Sequence, residues 1–79
     1  MTKEKGFTDA RGLLAANVHR LRSDMGLSQE KLAELAGFHR TYVSQVERRV
    51  ANATVDNVQR LATVLSVSVA SLFELRPDL

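Results

Sequence analysis

The sequence has no cysteine and no tryptophan, one proline, four glycines and four aromatic residues among its 79 positions. Without cysteine, a disulfide scaffold and a thiolate zinc site are excluded, and a reducing compartment such as the bacterial cytoplasm is the expected location. The two histidines stand apart from each other and from any carboxylate pair at ligand spacing, so no metal and no cofactor are expected. No apolar run approaches the roughly 20 residues of a membrane span, and the chain does not open like a signal peptide. A chain of this length makes one small core and leaves little room for a closed catalytic pocket, so an enzyme is not expected. With 44% apolar and 25% charged residues, the composition is that of a folded globular domain.

Net charge is also small. Eleven Lys/Arg against nine Asp/Glu give a net charge of +2, which by itself is a weak argument for a nucleic-acid partner. Positions 1–27 carry five basic against three acidic residues, 28–53 four against three, and 54–79 two against three. An anionic partner would therefore meet the first two thirds.

The pattern that is present is helical throughout. A charged, unpatterned stretch at 1–7 reads as a mobile tail, followed by a single domain over 8–76. From Thr8/Asp9 onward, Leu14, Val18, Leu21 and Met25 step by four, three and four and share one helix face. Gly26 and Leu27 then supply a left-handed stop with an apolar residue folding back. Ser28 is positioned to cap a second helix, with Leu32, Ala33, Leu35 and Ala36 as its buried side, and Gly37–Phe38 repeats the stop. A third helix is expected over Arg40–Arg48, with Val43 and Val46 inward and His39 at its cap. Thr54 caps a fourth helix whose stripe is Val55, Val58, Leu61, Ala62 and Leu65, ending at Ser66, where a glycine would be comfortable. Ser68 caps a short fifth helix carrying Val69, Leu72 and Phe73, and Pro77 closes the pattern. The fold class is therefore all-α, a compact bundle of about five short helices.

Residues 29–48 carry the functional signal. Ala33 permits two helices to approach closely, Gly37 admits the turn between them, and Leu32, Ala36, Phe38, Val43 and Val46 anchor both inner faces. These features at these spacings make a helix-turn-helix, a motif that sets its second helix in the DNA major groove. Here the sequence resembles the lambda-repressor-like (XRE, Cro-type) family, through VHRLRSDMGLSQEKLAELAG, HRTYVSQVER and NVQRLATVLSVSVASLF, over roughly residues 13–75. Within that family, HRTYVSQVER followed by N-x-T looks like the controller proteins of restriction–modification systems. General phage-type repressors use similar strings.

The resemblance implies specific roles. Arg40, Thr41, Ser44 and Gln45 would read base edges, Arg towards guanine and Gln towards adenine. Gln29, Tyr42, Arg48, Arg49 and Asn52 would meet phosphates, Gln29 from a helix N-terminus. Arg22 and Glu47 would pair, joining the first helix to the third. The chain also departs from the family: Arg49 replaces a usual glycine, Ala51 a usual basic residue, Ala53 a usual proline, and His39 a usual Asp or Ser.

A single reading helix contacts few bases, so a homodimer on a near-palindromic operator in double-stranded DNA is expected, with Leu65, Val67, Val69, Leu72 and Phe73 as interface residues within 65–75. With no small-molecule ligand expected, regulation would follow protein concentration, as in an autoregulatory transcription regulator. Activation would need a patch for RNA polymerase, with Glu30 and Glu34 in position for it. The competing reading is a protein–protein module, such as an antitoxin or adapter, built on the same helices. The Arg, Thr, Ser and Gln on the outward side of the third helix favour DNA.

Overall fold

The computed structural model describes residues 9–75. The tail at 1–7 and the stop at Pro77 lie outside them. Four α-helices follow one another: α1 (Ala10–Asp24), α2 (Gln29–Ala36), α3 (Tyr42–Glu47) and α4 (Val55–Leu65). The expected fifth helix is a single 3-10 turn, Ala70–Phe73. Among the described residues there is no strand, and no helix is long and apolar enough to cross a membrane.

Side-chain oxygens start three of the α-helices. Asp9, Ser28 and Thr54 accept from the backbone N–H of Gly12, Lys31 and Asn57 at 2.7, 2.9 and 3.1 Å. Each satisfies a donor that the helix itself cannot pair. Ser68 does the same for the 3-10 turn, accepting from Ser71 N at 3.1 Å. Helix α3 begins later than its pattern suggests, because Arg40 and Thr41 lie in the turn that leads into it. His39, expected at the cap, is not in that position: Thr41 is the N-cap, with no side-chain cap bond, and His39 Nδ1 accepts from Thr41 N at 3.3 Å within the preceding turn.

All four α-helices stop in the same way. The chain turns through a left-handed residue, Gly26, Gly37, Arg49 or Ser66, with φ of 71°, 79°, 67° and 61°. The following N–H reaches back five residues: Leu27 to Arg22 O, Phe38 to Ala33 O, Val50 to Gln45 O and Val67 to Ala62 O, at 2.8–3.0 Å. These bonds satisfy carbonyls that would otherwise be left open. The family's usual glycine at position 49 is thus explained, because Arg49 holds a conformation that a Cβ strains.

The core is formed by Leu14, Val18, Leu32, Ala33, Val43, Val46, Ala51, Val58, Leu61, Ala62, Leu65 and Leu72. Helix α1 packs on α3 and on the 3-10 turn, and α2 lies between α3 and α4. Three residues expected in the core are exposed instead. Met25 is 49% exposed where the chain has already left the helix, Leu35 is 51% exposed beyond the edge of the Leu32/Ala33/Ala36 face, and Val55 is 79% exposed at the first position of α4. Leu65 and Leu72, expected at a subunit interface, are 3% and 0% exposed. They fill this chain's own core and have no surface to offer a partner.

One buried polar residue closes the bundle. Asn17 is 1% exposed. Its Nδ2 lies 3.0 Å from Leu13 O, 3.1 Å from Leu72 O and 2.9 Å from Glu74 O, while its Oδ1 accepts from Arg20 at 3.0 Å. It fastens the 3-10 turn to the middle of α1. Buried amides are tolerated when bonded in this way.

Ser66→Gly should raise stability by about 1 kcal/mol, because glycine carries no left-handed penalty and this gain exceeds its added unfolded-state entropy. Thermal unfolding followed by circular dichroism measures it, and an unchanged midpoint would remove the strain account.

Candidate nucleic-acid interface

The carboxylate of Glu47, at the last position of α3, gathers the elements around it. Arg22 Nε donates to Oε2 at 2.7 Å, and its Nη2 donates to Oε1 at 3.0 Å. The same guanidinium donates through Nη1 to Leu27 O in the α1–α2 turn at 2.8 Å. Gln29, the first residue of α2, donates its side-chain amide to Glu47 Oε1 at 3.0 Å. His19 Nδ1 stands 3.1 Å from that oxygen and 3.1 Å from Arg22 Nη2. The Arg22 and Glu47 side chains are only 12% and 8% exposed. A planar fork of donors on both carboxylate oxygens is the strong form of this pair.

The charges respond accordingly. Burial pushes the Glu47 carboxyl up, but the hydrogen bonds from Arg22, Gln29 and His19 together outweigh it and hold the group below the usual carboxylate range. The Glu47 hydrogen bond raises Arg22 above the ordinary arginine value, against a smaller opposing effect of burial. Both groups therefore stay charged at neutral pH.

This hub has a directional effect on Gln29. A side-chain amide nitrogen carries two hydrogens, and only one is taken by Glu47. The other is available for an acceptor outside the protein, next to the free backbone N–H groups at the start of α2.

On the outward side, Arg40, Thr41, Gln45 and Arg48 are exposed and Ser44 is half-buried. Arg40 approaches Glu30 only loosely, at 3.9 Å with both side chains more than 70% exposed. Such a pair contributes little and releases easily. The remaining expected phosphate contacts are more dispersed. Tyr42 is half-buried, packed at a tilt of 39° against Phe38 with ring centroids 4.4 Å apart, and its hydroxyl accepts from Asn57 Nδ2 at 3.4 Å. That leaves its own hydrogen free to donate. Arg49 is exposed and its guanidinium lies against Gly12 in the first turn of α1. Asn52 is exposed and lines an apolar cavity of about 130 Å³ with Ala10, Arg11, Leu14, Ala53, Val58 and Phe73.

Arg60 of α4 plays a part that sequence reasoning missed. It donates from Nε to Ala36 O at 3.0 Å and from Nη2 to Gly37 O at 2.6 Å, and lies 4.2 Å from the centre of the Phe38 ring. It thereby caps α2 and holds the turn of the motif. A cation at a helix C-terminus and over an aromatic face is favoured on both counts. No periodicity marks it. A polar arginine on the otherwise solvent-facing side of α4 was its only trace.

Residues 18–72 match the helix-turn-helix family. The chain belongs to that family. It is 46% identical to control protein C.SmaI of Serratia marcescens over 66 residues, 84% of this chain and 79% of the relative. The crystal structure of the restriction-modification controller protein C.AhdI from Aeromonas hydrophila superposes with a TM-score of 0.76 at 40% identity, covering 80% of this chain and 96% of that one. SinR, a master regulator of biofilm formation, solved in complex with DNA, superposes with a TM-score of 0.72 at 31% identity, covering 77% and 98%.

Glu47→Ala should cost about 3 kcal/mol of stability, because it leaves the Arg22 charge buried without its partner; chemical denaturation measures it. The lowered carboxyl also sets a pH dependence. The Glu47 contribution is complete above its unfolded value of about 4.3 and is lost as pH falls through the lower folded value. Melting temperatures taken from pH 6 down to pH 3 should fall more steeply for the parent than for Glu47→Gln. Parallel curves would remove Glu47 as the source.

Proposed function

We propose that this protein is a sequence-specific DNA-binding transcription regulator, working as a homodimer on a near-palindromic operator. The observation that carries this reading is the exposed edge formed by Gln45 of α3 with Arg40, Thr41 and Arg48 in the turns at its two ends, on an element whose rear is clamped by the Arg22–Glu47–Gln29 hub. Arg40 and Gln45 are the side chains suited to bidentate contact with guanine and adenine, and Thr41 and Ser44 complete the reading set. Gln29, Tyr42, Arg48, Arg49 and Asn52 provide phosphate contacts, which set register and give salt-dependent affinity.

Two reading helices about 34 Å apart on one face of the duplex need a two-fold dimer. Val67, Val69 and Phe73 are half-buried and Leu75 is 64% exposed beside them in sequence, so they supply its surface. The likeness to C.SmaI and C.AhdI supports an autoregulatory controller of the restriction–modification type. In that role concentration alone sets the switch, through dimerisation and operator occupancy, and Glu30 and Glu34 stand exposed for RNA polymerase.

Arg40→Ala should weaken binding to the selected operator by about 1–3 kcal/mol and relax base preference at one position in each half-site. Fluorescence anisotropy on operator and random duplexes measures both. An equal loss on random DNA would assign Arg40 to the backbone, and absence of operator binding by the parent would favour a protein–protein module. Leu75→Glu should shift sedimentation towards the monomer without lowering the helix content, and an unchanged dimer would place the interface elsewhere.

A further inference from the structure

We propose that His39 fixes the hydrogen-bond polarity of Thr41, and so determines which bases Thr41 accepts. The inference rests on the reading role proposed above for Thr41. Two groups of Thr41 converge on one ring nitrogen: the backbone N–H lies 3.3 Å from His39 Nδ1, and Oγ1 lies 3.0 Å from it. A backbone N–H can only donate, so Nδ1 presents its lone pair to it. Thr41 Oγ1 then has to donate as well, since a hydroxyl lone pair facing the Nδ1 lone pair would repel. Nδ1 is shared between the two donors.

The consequence lies on the outward side of Thr41. Its single hydroxyl hydrogen is used within the turn. What remains is the oxygen's lone pairs and the Cγ2 methyl. In the major groove the donors are the amino groups of adenine and cytosine, whereas guanine presents only acceptors, N7 and O6. Thr41 held in this state accepts from an amino base and sets lone pair against lone pair at guanine. Thymine gives a less clear readout, because its methyl can touch Cγ2 whichever way the hydroxyl points. His39 thus acts as a positioning residue for specificity. An aspartate there would accept from the same two donors, but would set a negative charge beside the phosphates. A ring nitrogen supplies the same acceptor without a carboxylate.

The experiment selects binding sites from a randomised duplex library with the full chain, for the parent, Thr41→Val, His39→Gly and His39→Asn. His39 is exposed and lies outside α3, so His39→Gly removes the acceptor without touching the core. Asparagine restores an acceptor without charge. Thermal melts check that all four proteins are folded. Thr41→Val identifies the operator position that Thr41 reads. At that position the parent and His39→Asn should favour adenine or cytosine over guanine by about fivefold or more, the low end for one mismatched pair. In His39→Gly the freed hydroxyl donates equally well, and the preference should fall to within about twofold. Parent-like preference in His39→Gly, or a parent that favours guanine there, overturns the proposal while leaving Thr41 as a reader. If Thr41→Val changes no position, the reading role of Thr41 fails and the role of His39 fails with it.

Discussion

The motif depends on one carboxylate. Glu47 receives hydrogen bonds from α1, through Arg22, and from the first residue of α2, while Arg22 also grips the turn between α1 and α2. Three helices are thereby referred to two oxygen atoms. A buried ion pair adds modest net stability compared with an apolar substitute, but it is strict about geometry, because misplacing either partner leaves an uncompensated charge. Orientation is what a helix of six residues needs from its surroundings, since so short a helix has little propensity of its own to hold it in place.

Around that point the chain is divided into a rigid rear and a free front. Behind α3 lie Val43 and Val46, the Glu47 hub, and the Arg60–Phe38–Tyr42 stack that closes the turn. In front, Arg40, Gln45 and Arg48 are exposed, and among the described residues the one ion-pair partner of Arg40 is Glu30, at a distance too long to hold it. Long side chains left mobile can adapt to base edges and phosphates, and the ordering cost of binding then falls on few residues. His39 is the exception, because it constrains a side chain on the front edge.

Much of this was legible in the sequence. Leu14 and Val18, Val43 and Val46, and Val58, Leu61 and Leu65 fall inward as helical spacing requires, and the left-handed stops at Gly26, Gly37 and Ser66 fall where they were expected. The Arg22–Glu47 pair came from family likeness rather than from any pattern of spacing. Leu65 and Leu72 show what periodicity cannot decide, since a stripe records which side is apolar but not whether the same chain or a partner covers it. Met25 and Val55 show that a stripe extended to a helix end overshoots the core. Asn17 and Arg60 were illegible for a further reason. Each acts by donating to backbone carbonyls far along the chain, 55 and 24 residues away, and a carbonyl has no letter in the sequence.

The Asn17 staple also bears on when the protein can fold. It joins the middle of the first helix to Leu72 and Glu74, and Leu72 itself fills the centre of the core. A nascent chain still on the ribosome, with residues 29–48 already outside the exit tunnel, holds the helix-turn-helix but not its closure. The core is completed only after residue 74 emerges. Closure of the domain thus joins its first helix to residues more than fifty positions later, and a fragment ending before Leu72 would lack both the staple and a fully buried core residue.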